Sequence, residues 1–160
     1  MEAYINIANT YKSIGNYSKA IFYLKKSLII NPDSIISYNN IGNIYSSLRD
    51  FESANEMYFK AIDLNPNYVD ALLNQAKLFC EQGKILDGIK IYNRAFFLDP
   101  KTPNIQLELI NEFSKICDWR RLLKLFRDIN DFDLKHNVFD PFKLVNLDDD
   151  PDRFFRRSQL

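Results

Sequence analysis

Apolar side chains recur at three- and four-residue spacing in two blocks near the start of the chain. Tyr4, Ile7, Ala8 and Tyr11 form the first, and Ala20, Ile21, Leu24 and Leu28 the second. Each block has the period of an amphipathic helix, with polar residues filling the opposite side. Gly15-Asn16 stands between these blocks, and Gly83-Lys84 stands between two later ones, where a short turn must admit left-handed backbone. The pattern predicts helical hairpins, and nothing in it alternates with the two-residue period of a half-buried strand.

The hairpin recurs with a period of 34 residues. Prolines stand at Pro32, Pro66 and Pro100, where each biases the preceding residue away from helical geometry and so ends the second helix of a unit. Aromatics fill Tyr11, Tyr45, Phe79 and Phe113. Small residues fill Ala8, Gly42 and Ala76, and again Ala20, Ala54 and Gly88, where the two helices of a unit must approach closely. Further columns are Tyr17, Phe51, Ile85 and Trp119, and Leu24, Tyr58, Tyr92 and Phe126. This pattern resembles the tetratricopeptide repeat, a helix–turn–helix unit. The resemblance implies an all-α, right-handed superhelix of about four repeats. The units are 1–34, 35–68, 69–102 and a degenerate 103–136, followed by a linker segment over 137–160. In the fourth unit Ile110 and Leu122 take the small positions, and Ile129 and Leu134 replace the alanine and proline columns. Such side chains are expected to spread the helix pair and to leave an apolar end on which more protein packs, either a following domain or a second copy of the chain.

Composition narrows the chemistry. Among 160 residues, 21 Lys and Arg balance 21 Asp and Glu, which argues against a nucleic-acid partner attracted by net charge. Hydrophobic residues make up 46%, enough for a packed core rather than a disordered chain. No apolar run reaches the roughly 18 residues of a membrane span, and Met1-Glu2-Ala3-Tyr4-Ile5 lacks the basic start of a secretory signal. The expectation is a cytoplasmic module without a nucleic-acid or membrane partner. Cys80 and Cys117 lack the spacing of a zinc site, and no base stands beside Cys117 in the sequence. Neither metal ligands nor catalytic residues are assigned, and the single histidine, His136, is read as solvated.

The candidate site is a column of carboxamides. Asn6, Asn40 and Asn74 share one repeat position on the first helix of each unit, and Asn9 and Asn43 a second whose third member is Lys77. Asn39 adds a further amide. A carboxamide carries both a donor and an acceptor, as a peptide group does, so such a ladder suits the main chain of an extended peptide. Some tetratricopeptide repeats clamp a partner's terminal carboxylate with lysine and asparagine. Four residues before Asn9 and Asn43 stand Ile5 and Asn39, so the lysines of that mode are missing.

The C-terminal part sharpens the resemblance. Cys117-Asp118-Trp119 closes the array, and Asp140-Pro141-Phe142-Lys143-Leu144 and Asp148-Asp149-Asp150-Pro151 follow. Asp150 is a good helix cap ahead of Pro151, which predicts a short helix through Arg156 carrying Arg153 and Arg156, with Arg157 beyond it. The tail is similar to that of the protein O-linked N-acetylglucosamine transferases and their SPINDLY-type relatives, glycosyltransferase family 41. That resemblance implies substrate recruitment by an asparagine ladder, with aspartates four residues before some ladder positions. Asp70 matches, Glu2 is close, and Ile36 does not match. It also implies a UDP-sugar donor for the full-length enzyme, bound by catalytic lobes that this chain lacks. The chain alone is therefore expected to hold no cofactor and to transfer no sugar. The alternative is an adaptor that scaffolds a protein complex through the same groove.

Overall fold

A computed structural model describes residues 1–100, 102–116, 118, 120 and 121. The chain divides into two compact units, Met1–Cys117 and Asp118–Leu160, and the architecture below is that of the first. The readings made on Cys117, Trp119, Leu122, Ile129, Leu134, His136 and the segment 137–160 lie outside the described residues.

Among the described residues seven helices follow one another: α1 (Glu2–Ser13), α2 (Tyr17–Ile30), α3 (Ile35–Ser47), α4 (Phe51–Leu64), α5 (Val69–Glu81), α6 (Ile85–Leu98) and α7 (Pro103–Lys115). Each packs on the next, most extensively within the pairs α1–α2, α3–α4 and α5–α6. The hairpin turns form where the sequence places them. Gly15 and Gly83 adopt φ of +76° and +78°, and Arg49 takes the equivalent position at +60°. Asn16 and Asp50 then cap α2 and α4, accepting from the Lys19 and Ser53 amides at 3.2 Å each. The second helices all stop two residues before a proline. Their caps Asn31, Asn65 and Asp99 are turned out of helical geometry, with ψ of 96°, 98° and 83°.

The small columns do what their size permits. Ala8, Ala76, Ala20 and Ala54 are completely buried, and a Cβ on Gly42 would stand 2.5 Å from the Tyr58 ring. A Cβ on Gly88 would collide with the Cys80 sulfur and lie 2.9 Å from the Ala76 carbonyl oxygen. Around these contacts Ile5, Leu24, Ile41 and Ile44 form one core cluster, and Ala54, Tyr58 and Leu78 another. Each large aliphatic side chain so buried contributes about 1.5–3 kcal/mol. In α7, Ile105, Leu109, Ile110 and Phe113 are buried. Ile110 thus occupies the small-residue column without becoming exposed.

Candidate functional site

Spacing on the first helix of each pair separates two faces. At the eighth repeat position Ala8, Gly42 and Ala76 are buried, and at the tenth Ile44 and Leu78 are buried while Thr10 of the first repeat is exposed. One stripe is exposed or half-buried. It runs through Glu2, Asn6, Asn9 and Ser13 on α1, then Ile36, Asn40, Asn43 and Ser47 on α3. On α5 it continues as Asp70, Asn74, Lys77 and Glu81, and on α7 as Glu108, Asn111 and Lys115. Helices α3 and α5 pack directly on each other, without a counterpart of equal extent between α2 and α4 or α4 and α6. On α3 and α5 the stripes therefore run side by side.

The asparagines on this stripe engage one another across neighbouring repeats. Asn40 Nδ2 donates to Asn9 Oδ1 at 3.4 Å, and Asn74 Nδ2 donates to Asn39 Oδ1 at 2.9 Å. Asn43 Oδ1 accepts from the Tyr58 hydroxyl at 2.8 Å. These bonds leave a regular remainder. Asn9 and Asn43 have used a carbonyl and still offer an amide group, whereas Asn40 and Asn74 have used one N–H and still offer a carbonyl. Asn6 stands exposed at the start of the stripe and spends only its main-chain carbonyl, which accepts from Thr10. Asp70 is exposed at the entry to α5. Burial, and then the neighbouring Asp70 carboxylate, raise the pKa of Tyr68, so that phenol stays protonated.

The five asparagines and Asp70 expected from the sequence thus lie on one stripe, and four of them, Asn9, Asn40, Asn43 and Asn74, are held by side-chain bonds rather than standing as independent amides. Two supporting residues were not identified as such from sequence. Asn39, one more amide in the sequence, is 6% exposed and serves as the acceptor for Asn74. Tyr58, a member of a repeat column in the sequence, has a buried ring, and its hydroxyl reaches the stripe and fixes Asn43. Burial raises the Tyr58 pKa well beyond the ordinary tyrosine range, so it remains a donor at every physiological pH. The signal available was a tyrosine in a column that holds Leu24 one repeat earlier. The lysines of a carboxylate clamp are absent in structure as in sequence, because Ile5 and Asn39 fill those places and are 7% and 6% exposed. Among the described residues no group of acidic, histidine or cysteine side chains could hold a metal ion. No described helix is long and apolar enough to cross a membrane.

Helical hairpins stacked in one direction, with an open polar stripe on their first helices, define a helical repeat protein. Residues 2–34 and 35–68 match the model of the tetratricopeptide repeat family, close to the unit boundaries read from the prolines. No curated protein matches the sequence at a significant level. Among solved structures the chain is similar to the first TPR of Spaghetti (RPAP3), determined bound to the HSP90 peptide SRMEEVD. The TM-score is 0.68 at 23% identity, over 72% of this chain and 94% of that one. It is also similar to MamA, with a TM-score of 0.70 at 21% identity, over 79% of this chain and 74% of that one. At these identities the likeness is one of fold.

Proposed function

We propose that the stripe binds an extended polypeptide segment through its main chain. The observation that carries this reading is the remainder left by these side-chain bonds: amide groups at Asn9 and Asn43, and carbonyls at Asn40 and Asn74. A strand of peptide presents C=O and N–H groups in the same mixture, so it is held without regard to most of its side chains. The peptide-bound state of the Spaghetti neighbour supports the use of this fold for such a partner. A terminal carboxylate is not the feature recognised here, because the clamp lysines are absent and Asp70 repels an anion on the stripe.

Asn6 provides the cleanest test, because its side chain makes no bond among the described residues that its loss would break. With a blocked, unstructured peptide selected from a random library, calorimetry of Asn6→Ala and Asn40→Ala should show losses of about 1 kcal/mol per hydrogen bond, with unchanged helicity. Equal affinity for wild type and both variants refutes the reading.

We further propose that the bound segment is the acceptor of a family 41-type glycosyltransferase. Support comes from the asparagine ladder, from Asp70 four residues before Asn74, and from Cys117-Asp118-Trp119 with the Asp-Pro motifs beyond it. A reading frame continuing past Leu160 into nucleotide-sugar-binding lobes is the expected finding. A frame without them leaves an adaptor that uses the same groove.

A further inference from the structure

The second helices of the first three pairs repeat one exposed ridge, at the eighteenth, twenty-second, twenty-fifth and twenty-ninth positions of each unit. Large apolar side chains collect on it: Phe97 is 85% exposed, Ile29 80%, Phe59 61% and Phe22 52%. Singly, such residues are ordinary on a protein surface. Set at matching positions of successive units, they mark a contact surface.

The charges on this ridge and beside it separate by helix. Between Glu2 and Asp33 the chain has no acidic residue, so α2 carries Lys19, Lys25 and Lys26 without a carboxylate. Lys19 and Lys26 lie over the Tyr11 and Phe22 rings at 5.2 and 4.7 Å, and none of the three lysines enters an ion pair among the described residues. On α4 the ridge holds Glu52, Glu56 and Asp63 around Phe59, and the one cation of that helix, Lys60, is bound to Glu56 at 2.7 Å. Glu52 and Asp63 are exposed and enter no ion pair among the described residues. Helix α6 is balanced within itself: Lys90 pairs with Asp87 at 2.8 Å, and Arg94 donates to the Pro66 carbonyl oxygen at 2.6 Å. Helices α2 and α4 are thus left with opposite charges beside exposed aromatic rings, and no ion pair joins the two within the described residues.

We propose that the ridge of α2 docks on the ridge of α4 of a second copy of this chain. Lys25 and Lys26 of one copy meet Glu52 and Asp63 of the other, while Phe22 and Ile29 pack about Phe59. The charges select the partner and its register, and the apolar groups supply the burial. Made twice about a two-fold axis, α2 to α4 and α4 to α2, the contact closes on itself as a dimer. It uses no residue of the asparagine stripe, so it stands or falls independently of peptide binding.

Sedimentation velocity of the full chain, over a concentration series to about 100 μM, should show a reversible dimer that weakens as salt is added. Lys25→Glu with Lys26→Glu, and separately Glu52→Lys with Asp63→Lys, should each leave only monomer with unchanged circular dichroism. An equimolar mixture of the two variants should restore a dimer containing one copy of each, because the reversed charges again face their opposites. Phe59→Ala should weaken the wild-type dimer about tenfold. A chain that stays monomeric throughout the series overturns the proposal, whether or not it adheres to phosphatidylserine vesicles. So does a dimer that both reversals leave intact. Reversed variants that fail to associate on mixing overturn the pairing of α2 with α4.

Discussion

Gly42 is confined by a ring that cannot yield. Tyr58 is 2% exposed, and its hydroxyl is tied to Asn43, so the aromatic edge 2.5 Å from an added Cβ has no free direction to move. Overpacking of this kind costs about 1–3 kcal/mol, more than the roughly 1 kcal/mol that alanine gains over glycine within a helix. Gly42→Ala should therefore lower the urea midpoint of unfolding. Arg49 presents the opposite case: its φ of +60° strains a residue with a Cβ, while Gly15 and Gly83 adopt the same turn freely. Arg49→Gly should stabilise the protein by about 0.5–1 kcal/mol, measured by the same denaturation, despite losing the guanidinium's contact with the Phe51 ring. Cys80 sets a pH dependence. Its folded pKa of about 12 lies above its ordinary value of 9.0, so above pH 9 the unfolded chain releases a proton that the fold retains. Stability should accordingly fall between pH 9 and pH 12, and Cys80→Ala should flatten that fall in a series of thermal melts. An identical slope in the variant would contradict this account of the thiol.

At the scale of the helix pair, the sequence disclosed the frame because its determinants are local. Proline bars helical geometry at the residue before it, glycine opens the left-handed turn, and small residues permit close helix contact; each acts wherever it stands, so a period of 34 could be read directly. The candidate stripe was legible for the same reason, since residues at three- and four-residue spacing share a helix face. What the chain concealed was pairing between repeats. That Asn74 would reach Asn39, or Asn40 reach Asn9, depends on how far successive pairs shift and rotate, which no local rule specifies. Glu112 stayed hidden because a glutamate in a helix ordinarily faces solvent, and only the register with Ile44 and Leu78 reveals its burial. Tyr58→Phe isolates the bond made within one helix pair. The ring packing is kept while the bond to Asn43 is lost, and stability should drop by about 1 kcal/mol, with a comparable loss of affinity for an extended peptide. A change in stability alone would make Tyr58 a core residue without a part in the stripe.

Across the stack, each helix pair contacts only its neighbours, so the core is continuous but no pair encloses a site by itself. The binding surface is consequently a property of the series: amides at corresponding positions, spaced by the repeat and held by bonds that run from one pair to the next. That arrangement explains how residues of mild helix cost, such as asparagine, are retained at helix-interior positions. The side-chain amide signals of a nitrogen-15-labelled protein report on this surface most directly. On titration with a blocked extended peptide, the Asn9 and Asn43 amide resonances should shift together and saturably, while those of the exposed Asn67 and Asn93, which lie off the stripe, should stay in place. Saturable binding that leaves Asn9 and Asn43 unmoved, or that moves Asn93 instead, would contradict the claim that the ladder holds the peptide main chain.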